Sequence, residues 1–434
     1  MRAALVQYPG EGPLVRGLYS LVLYALAPLV LLRLLLRGPA YRRRWRERFG
    51  YVPPLAARPR IWLHAVSVGE VQAASPLIQA LLQRHPDHEL LVTTTTPTGS
   101  AQLEKLFGGR VRHLYMPYDL PGVVRRFLGR VRPRLVLIME TEIWPNLFHA
   151  CARRGIPLLL VNARLSARSA AGYRRVRRLT AATLSCLDAL AAQGRADAER
   201  LIALGAAPDR VQVTGNTKFD VTVPASLRER AEVLRREWGL RHVWIAGSTH
   251  EGEDAVLLAA HRRLRERFPD ALLVLVPRHP ERFAPLADAL RAEGWRLARR
   301  SAGEAVAAET EVYLGDTMGE LLLLYAAADV AFVGGSLVEV GGHNPLEPAA
   351  LGLPVLFGPH HFNFEEISRL LREAGGAREV ADAESLAREV GELFADPNRR
   401  HAWGEQARQV VAANRGARDR VLAMIEAVLL RTAP

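Results

Sequence analysis

The sequence predicts two α/β domains, each with a doubly wound parallel sheet covered by helices on both faces. The first observation is the length, because 434 residues correspond to two or three domains of about 150 residues. The second is the composition, since 49% hydrophobic and 24% charged residues are typical of globular chains and exclude a disordered or fibrous one. The third is a repeated order of apolar strand, turn and amphipathic helix from Arg60 onward, which favours buried parallel sheets.

The chain is basic, with 58 Lys and Arg against 45 Asp and Glu and a net charge of +13. This charge suits an anionic partner, either nucleic acid, an acidic membrane surface or a phosphorylated small molecule. Only Lys105 and Lys218 among the basic residues are lysines. The two cysteines, Cys151 and Cys186, are too few for a disulfide framework, and no Cys/His cluster has zinc-site spacing. We therefore expect a reducing cytosolic environment and no metal site.

The first 45 residues predict a membrane-attached segment. Residues 17–32 are uncharged, a run shorter than the roughly 20 residues of a usual spanning helix, and Pro28 favours a kink. A basic cluster interleaved with aromatic residues follows at 41–49, as is typical at an anionic lipid headgroup layer. No small-residue cleavage site follows the run, which argues against a signal peptide. The alternative is a buried first helix of a soluble fold, and in either case we expect the remaining chain on the cytoplasmic side.

Apolar runs predict the strands of both domains. In the first domain, 46–218, helical spacing over residues 71–82 follows the first strand. The second domain, 219–402, begins after Pro224 and a charged stretch interrupt the apolar period. Because ligands of such sheets bind beyond the carboxyl ends of the strands, the turns there are the candidate sites. The predicted strands are 61–66, 90–94, 135–139, 158–161, 189–192 and 211–214, then 243–247, 272–276, 330–333 and 355–357.

Four charged residues in the first domain are candidates for chemistry. Glu70 begins the helix after the first strand, where the helix dipole should lower its pKa and keep it ionised as a base; the alternative is an acid that only stabilises the helix start. Glu140 and Glu142 follow strand 135–139 and should face one side, or else they are solvated loop acids. Lys218 ends the last strand, where a compact ammonium is favoured over a guanidinium, unless it is an ordinary surface lysine.

The second domain offers groups that suit an anion and a diol. Arg278 follows strand 272–276 and suits a phosphate or carboxylate, or it pairs with a neighbouring acid. Thr317 and Glu320 predict a capping box at a helix start whose N–H groups favour phosphate. Gly334 and its neighbouring glycine let the backbone approach a ligand. Glu347 suits a ribose diol, or it is a first-turn acid.

These groups favour an enzyme that passes a group from a nucleotide donor to an acceptor, with no P-loop and no Asp-x-Asp metal motif. Ordered motifs from the apolar N-terminus nearly to the end of the chain resemble those of 3-deoxy-D-manno-octulosonic acid (Kdo) transferases of Gram-negative bacteria. The motifs are Ser67-Val68-Gly69-Glu70, Thr96-Pro97-Thr98-Gly99-Ser100, Pro117-Tyr118-Asp119-Leu120-Pro121, residues 139–146, Asn162-Ala163-Arg164-Leu165-Ser166, Pro277-Arg278-His279-Pro280-Glu281-Arg282, residues 315–320 and residues 334–347.

The resemblance implies a GT-B glycosyltransferase, in which two Rossmann-like domains face a cleft and a terminal helix, here within 403–434, crosses back to the first domain. It implies inverting transfer of Kdo from CMP-Kdo to the tetraacyl lipid A precursor (lipid IVA), in lipopolysaccharide synthesis at the cytoplasmic face of the inner membrane. It implies no cofactor, no metal ion and no nucleic-acid partner.

The resemblance also assigns residues. Glu70 matches the general base of the family, and Glu140 and Lys218 match positions that stabilise the transition state. The positions that match its CMP-binding segments are Pro277, Arg278, Met318, Gly319, Glu320, Asn344, Pro345, Leu346 and Glu347.

Three other functions suit parts of the pattern. A GT-B transferase that uses a UDP-sugar would share the fold and the anion-binding groups. A UDP-sugar epimerase would share the fold but would need neither a lipid acceptor nor the apolar segment. A membrane-tethered nucleotide-binding scaffold would catalyse nothing.

Overall fold

The computed structural model describes residues 12–36 and 38–431 and contains two compact units. Unit 1 comprises Met1–Asp220 and Arg415–Pro434, and unit 2 comprises Val221–Asn414. The boundary after Asp220 lies two residues beyond the predicted end of the first domain at 218. The parts of the predicted segments 1–45 and 403–434 that fall on residues 1–11, 37 and 432–434 lie outside the described residues.

Unit 1 has one parallel sheet of seven strands among its described residues, in the order β3-β2-β1-β4-β5-β6-β7. Its strands are β1 (Arg60–His64), β2 (Glu89–Thr94), β3 (Arg112–Tyr115), β4 (Leu135–Met139), β5 (Leu158–Ala163), β6 (Ala189–Ala192) and β7 (Val211–Val213). Its helices are α1 (Gly12–Leu36), α2 (Pro39–Arg42), α3 (Val68–Arg84), α4 (Pro97–Phe107), α5 (Pro121–Val131), α6 (Pro145–Arg153), α7 (Ala167–Arg175), α8 (Arg177–Leu184) and α9 (Arg195–Ala203).

Helices cover both faces of this sheet, so its strands read as continuous apolar runs. Neighbouring residues of one strand enter different cores because side chains alternate across a sheet. Trp62 packs with Phe127 and Phe148 on one face, whereas Leu63 packs with Ile78 on the other. Both cores consist of buried apolar side chains, whose packing fixes the strand ends where the candidate residues lie.

Unit 2 repeats this plan, with a parallel sheet of seven strands in its described part, in the order β10-β11-β9-β8-β12-β13-β14. Its strands are β8 (Val243–Thr249), β9 (Leu272–Pro277), β10 (Leu297–Arg299), β11 (Val312–Leu314), β12 (Val330–Val333), β13 (Val355–Phe357) and β14 (Ala377–Glu379). Its helices are α10 (Leu227–Trp238), α11 (Asp254–Arg267), α12 (Phe283–Ala292), α13 (Leu321–Ala326), α14 (Leu346–Ala350), α15 (Glu365–Glu373), α16 (Ala383–Ala395) and α17 (Pro397–Asn414).

All ten predicted strands are present, with ends within two residues of the prediction. Four strands were missed, namely β3, β10, β11 and β14. Three of these lie at sheet edges, where charged residues are tolerated, so no continuous apolar run marks them. The fourth, β11, has three residues, too few to show a period.

The C-terminal segment does not contain the single terminal helix that the resemblance implied within 403–434. Helix α17 belongs to unit 2 and ends at Asn414, and the last helix, α18 (Ala417–Arg431), belongs to unit 1. Gly416 has a left-handed φ of 87°, which glycine adopts at low cost and which ends a helix. The Asp220 carboxylate accepts the Gly416 N–H at 2.7 Å and the Arg418 N–H at 2.7 Å, so one side chain fixes the start of α18.

Helix α1 is an exposed apolar helix. Residues Leu14–Leu34 form a 21-residue stretch that is long and apolar enough to cross a membrane, and none of its best window is buried. Leu21 is 66% exposed and Leu29 is 61% exposed. The alternative of a buried first helix was therefore wrong, and the helix extends beyond the uncharged run at 17–32 on both sides. Pro28 lies inside the helix without ending it.

Polar contacts attach one side of α1 to the rest of unit 1. The Tyr19 hydroxyl donates to Asp119 Oδ2 at 3.1 Å, and the Ser20 hydroxyl donates to Asn146 Oδ1 at 3.0 Å. Asp119 is buried and also accepts the N–H groups of Asn146 and Leu147 at 2.9 and 2.8 Å. The Asp119 carboxylate therefore links α1 to the first turn of α6.

The basic cluster at 41–49 is only partly available to a lipid surface, which corrects the prediction. Arg48 is buried, with its guanidinium 4.2 Å from the ring centroid of Tyr115. Arg44 pairs with Glu47 at 2.7 Å. These two arginines hold the chain against unit 1 through a cation–π contact and an ion pair. The exposed arginines that form no such ion pair among the described residues are Arg42, Arg43 and Arg46.

Candidate active site

Glu70 lies in the first turn of α3, just beyond the carboxyl end of β1. Its Oε2 accepts the Val66 N–H at 2.8 Å, so one carboxylate oxygen stabilises the helix start, as the structural alternative proposed. Within the described part of the chain, Oε1 accepts no hydrogen bond. The side chain is half-buried. One oxygen therefore fixes the carboxylate, and the second is available to a ligand.

The expectation of a lowered pKa for Glu70 was wrong. The pKa of Glu70 is raised to about 8, mainly by burial and also by the charges of Glu140 and Glu142, and the lowering by the Val66 N–H and Lys218 only partly offsets this rise. A helix dipole contributes about 0.3–1 kcal/mol, less than the 1.36 kcal/mol of one pKa unit. Desolvation therefore outweighs the dipole here.

Glu140 and Glu142 are close to Glu70, but not through strand alternation as predicted. Strand β4 ends at Met139, and Glu140 has a left-handed φ of 53°, uncommon for a residue with a side chain. Both acids are half-buried rather than solvated. Burial raises the pKa of Glu142, and the charge of Glu140 raises it further. The left-handed turn at Glu140 therefore places the carboxylates of Glu140 and Glu142 close to that of Glu70.

Lys218 reaches this group from the far edge of the sheet. It lies in a 3₁₀ turn, Thr217–Phe219, after β7, and the Thr217 hydroxyl donates to the Ala73 carbonyl of α3 at 3.1 Å. The Thr217 N–H donates to Asn162 Oδ1 at 3.0 Å. Lys218 is half-buried, and its charge lowers the pKa of Glu70. It is therefore not an ordinary surface lysine.

Asn162 is a positioning residue that sequence reasoning missed. It is fully buried and adopts a φ of 54° at the end of β5, a conformation that Asn tolerates better than most residues. The signal was present in the Asn162 to Ser166 motif, but nothing there indicated which backbone group the amide would hold.

In unit 2, Arg278 directly follows β9, the strand that Pro277 ends. Its N–H donates to the Thr249 carbonyl of the neighbouring strand at 3.0 Å. Among the residues that the structure describes, it forms no ion pair with an acid, so the predicted alternative is wrong. Its positive charge lowers the pKa of Glu347. Arg278 thus lies at the centre of the sheet without a fixed counter-ion.

The segment from Asn344 to Glu347 forms the start of α14. Asn344 Oδ1 accepts the Leu346 N–H at 3.1 Å, and its amide donates to Glu347 Oε1 at 3.3 Å. Pro345 lies between them as the residue before the helix. Burial raises the pKa of Glu347. The Glu347 carboxylate is therefore both a first-turn acid and a buried acceptor close to Arg278.

Glu320 does not form the predicted capping box. It is itself the residue before α13 and makes no cap with its side chain. Instead, two guanidinium nitrogens of Arg300 bind its carboxylate at 2.9 and 3.1 Å, and the Thr317 hydroxyl donates to it at 2.6 Å. Arg300 holds the pKa of Glu320 at about 2. The adjoining Met318 and Gly319 are exposed.

Glu253 organises the turns at the middle of this sheet and was missed from sequence. It is fully buried, and its carboxylate accepts four backbone N–H groups, those of His250, Gly335, Ser336 and Leu337, at 2.7–3.0 Å. Gly334 is needed because a Cβ there would lie 2.6 Å from the Ser248 carbonyl. The paired glycines therefore serve close backbone packing.

Three histidines meet beside Arg278. The Nε2 atoms of His250 and His343 are 2.8 Å apart, and the ring of His279 lies edge-on to that of His250, with centroids 5.1 Å apart. These histidines come from the segments after β8, β9 and β12, the three central strands. No group of three or more His, Cys, Asp or Glu side chains within residues 12–36 and 38–431 is arranged to hold a metal ion.

Comparisons with known proteins identify the chain. Residues 43–221 match the family model described as 3-deoxy-D-manno-octulosonic-acid transferase (kdotransferase), and residues 248–410 match that of glycosyl transferases group 1. The solved structure of MurG from Acinetobacter baumannii has the same fold, with a TM-score of 0.52 and 14% identity over 85% of this chain and 99% of that one. Fold and family models together define a glycosyltransferase of the GT-B class.

Two curated relatives narrow this class. The 3-deoxy-D-manno-octulosonic acid transferase of Haemophilus influenzae is 43% identical over 96% of this chain and 99% of the relative. That of Bordetella pertussis is 42% identical over 95% of this chain and 99% of the relative. The chain belongs to the Kdo transferase family.

Because four backbone N–H groups donate to the Glu253 carboxylate, we expect a substitution of Glu253 to destabilise the turns that these bonds hold. Glu253→Gln places an amide N–H₂ against backbone donors, and leaving buried N–H groups unpaired costs about 1–3 kcal/mol each. We expect a lower unfolding temperature and faster hydrogen exchange of the 335–337 amides. The exposed Glu251→Gln is the matched control and should leave both unchanged. Unaltered exchange in the Glu253 variant would contradict this role.

Proposed function

We propose that the chain transfers Kdo from CMP-Kdo to the tetraacyl lipid A precursor (lipid IVA), with inversion at the anomeric carbon and Glu70 as general base. Membership of the Kdo transferase family supports the sugar that is transferred. The observation that carries the mechanism is the half-buried Glu70 carboxylate, with one oxygen held by Val66 and the other uncommitted.

The chemistry of the acceptor requires such a base. A sugar hydroxyl has a pKa far above 7, so a carboxylate must take its proton as the new bond forms, a contribution of about 10²- to 10⁴-fold. A pKa of about 8 for Glu70 lies close to neutral pH, where a general base is most effective. The proton passes to Glu70, the hydroxyl oxygen bonds to the anomeric carbon, and CMP departs from the opposite face, which inverts the configuration.

Lys218 and Glu140 adjust the pKa of the Glu70 carboxylate. Lys218 lowers the pKa of Glu70 and Glu140 raises it, so together they keep it within reach of neutral pH. Their opposite charges also suit a transition state in which positive charge develops at the sugar carbon while negative charge moves to the leaving phosphate.

The donor suits the groups of unit 2. The leaving group is a nucleoside monophosphate, which carries less charge than the diphosphate of most sugar donors. Arg278, which has no fixed counter-ion in the described part, suits its phosphate, and Glu347 suits its ribose diol. The turn at Met318, Gly319 and Glu320 supplies a further predicted contact. These groups support phosphate stabilisation without a metal ion or cofactor.

The acceptor is a lipid, and unit 1 has features that suit one. Helix α1 exposes apolar side chains and is fixed by Tyr19 and Ser20 to the start of α6, directly after the turn that carries Glu140. Helix α8 packs against α1. We infer attachment to the cytoplasmic face of the inner membrane, where an apolar segment and a basic surface bind better together than either alone. Exposed arginines at and just before the start of α8 include Arg174, Arg175 and Arg177.

The direct test is transfer by the full chain in detergent micelles. We expect lipid IVA to gain mass by one or more Kdo residues when CMP-Kdo is supplied, and no gain with a UDP-sugar. The initial rate should be the same with and without EDTA, because Arg278 carries out the charge stabilisation. Absence of product from CMP-Kdo would overturn the proposal, and a loss with EDTA that a divalent ion restores would overturn its metal-free part.

Substitution of the base should abolish transfer without affecting donor binding. Glu70→Gln keeps the shape but cannot accept a proton, so we expect kcat to fall by about 10²- to 10⁴-fold while CMP affinity changes little. In the unaltered enzyme, kcat/KM should rise with pH through about 8, since only the deprotonated carboxylate is active. Glu104→Gln on the exposed side of α4 is the matched control. A near-normal rate in the Glu70 variant would exclude this role.

The two lysines of the chain give a matched pair for the third test. Lys218→Arg keeps the charge but replaces a compact ammonium with a planar guanidinium, so we expect a fall in kcat of roughly tenfold or more. Lys105→Arg, on an exposed position of α4, should leave the rate unchanged. Full activity of the Lys218 variant would mean that a positive charge alone suffices.

A further inference from the structure

His250 and His343 share one hydrogen bond between their Nε2 atoms. The nitrogens are 2.8 Å apart, the ring centroids are 5.0 Å apart, and the ring planes are 11° from parallel. These three values together place both rings close to one plane, which is the geometry of an N–H···N bond rather than of a face-to-face stack. One nitrogen donates and the other accepts, so the pair is neutral in this state.

The surroundings of the pair disfavour an additional proton on either ring. The pKa of His343 is lowered to about 3, mainly by burial and also by His250, Arg278 and His279. Burial also lowers the pKa of His250, as do His279, Arg282 and Arg278, and only Glu253 opposes them.

The acids near the pair have other partners. Glu253 is engaged by four backbone N–H groups, and Asp254 pairs with Arg282. Glu347 is bound by the Asn344 amide and lies close to Arg278. Every charge that acts on His343 disfavours a further proton on that ring, and a bound anion would counter this effect.

The position of the pair in the sheet also indicates a ligand site. His250 follows β8 and His343 follows the Gly335 turn after β12, while Arg278 follows β9. In the sheet, β9 lies on one side of β8 and β12 lies on its other side. Ligands of doubly wound sheets bind at this reversal of strand order.

We propose that His250 and His343 form a proton-accepting pair in the donor site, which takes up one proton from solvent when a phosphodiester anion binds beside Arg278. The inference rests on the proposed function with CMP-Kdo as donor. It adds that donor binding is accompanied by protonation of the histidine pair. The anion supplies the missing negative charge, so the cationic pair, with its proton shared along the Nε2 axis, becomes the stable form. Phosphate binding and proton binding are then linked.

The test is the pH dependence of affinity for the methyl ester of CMP. This ester carries one phosphodiester charge that does not change between about pH 5.5 and about pH 8.5, so any dependence belongs to the protein. Because protonation of the pair is favoured only with the anion bound, affinity should increase as pH falls, by up to about tenfold per pH unit. Titration calorimetry of the full chain in two buffers of different ionisation enthalpy should show uptake of up to one proton.

Three variants sharpen the test. His343→Gln and His250→Gln should show neither the pH dependence of ester affinity nor the proton uptake, and a cooperative thermal unfolding transition checks that each variant is folded. His279→Gln, whose ring is edge-on and outside the Nε2 bond, should retain both.

Two results would overturn the inference. Ester binding with a flat pH profile in the unaltered chain would exclude the proton pair and leave the donor site standing. Failure of the ester to bind at any pH, with transfer from CMP-Kdo intact, would exclude the pair as a phosphate site. Failure of both binding and transfer would instead remove the proposed function.

Discussion

In each unit the first strand of the chain lies in the interior of the sheet, with later strands on both sides of it. This strand order determines where the candidate site residues lie. Strand β1 is followed by β2 on one side and by β4 on the other, and β8 is followed by β9 and β12 in the same way. Helices that cover opposite faces must separate at these points, which leaves the turns open. Glu70 and Glu140 occupy the turns in unit 1, and Arg278 and His250 occupy those in unit 2.

Burial is the main cause of the shifted pKa values of Glu70 in unit 1 and of His250 and His343 in unit 2. A few neighbouring groups partly offset the shifts of Glu70 and His250. Burial raises the pKa of the Glu70 carboxylate and lowers the pKa values of the two histidines, so each group is held in its neutral form when nothing is bound. The supporting residues are themselves satisfied, as with the Glu253 carboxylate and its four N–H groups. Such groups suit a reaction that moves one proton and one anionic leaving group at neutral pH.

Much of the fold followed from the sequence, whereas the geometry of the site followed only in part. Long apolar runs identified the central strands, because burial on both faces imposes that composition, but short edge strands such as β14 lack it. The charged residues Glu70, Glu140 and Lys218 were found because they follow strands. Their pKa values, the left-handed turn at Glu140 and the return of Lys218 across the sheet depend on tertiary packing. Asn162, Glu253 and the histidine pair are defined by partners distant in sequence.

The contact of Tyr19 with Asp119 has a consequence for how the enzyme is prepared. Burial raises the pKa of Asp119 to about 7, and the Tyr19 hydroxyl is one of the donors that counteract this. A chain shortened past α1 to improve its solubility would lose that donor and the Ser20 contact to Asn146, at the helix start that follows the turn with Glu140. The apolar helix is thus a structural part of unit 1, and removing it would expose a carboxylate that the fold keeps buried.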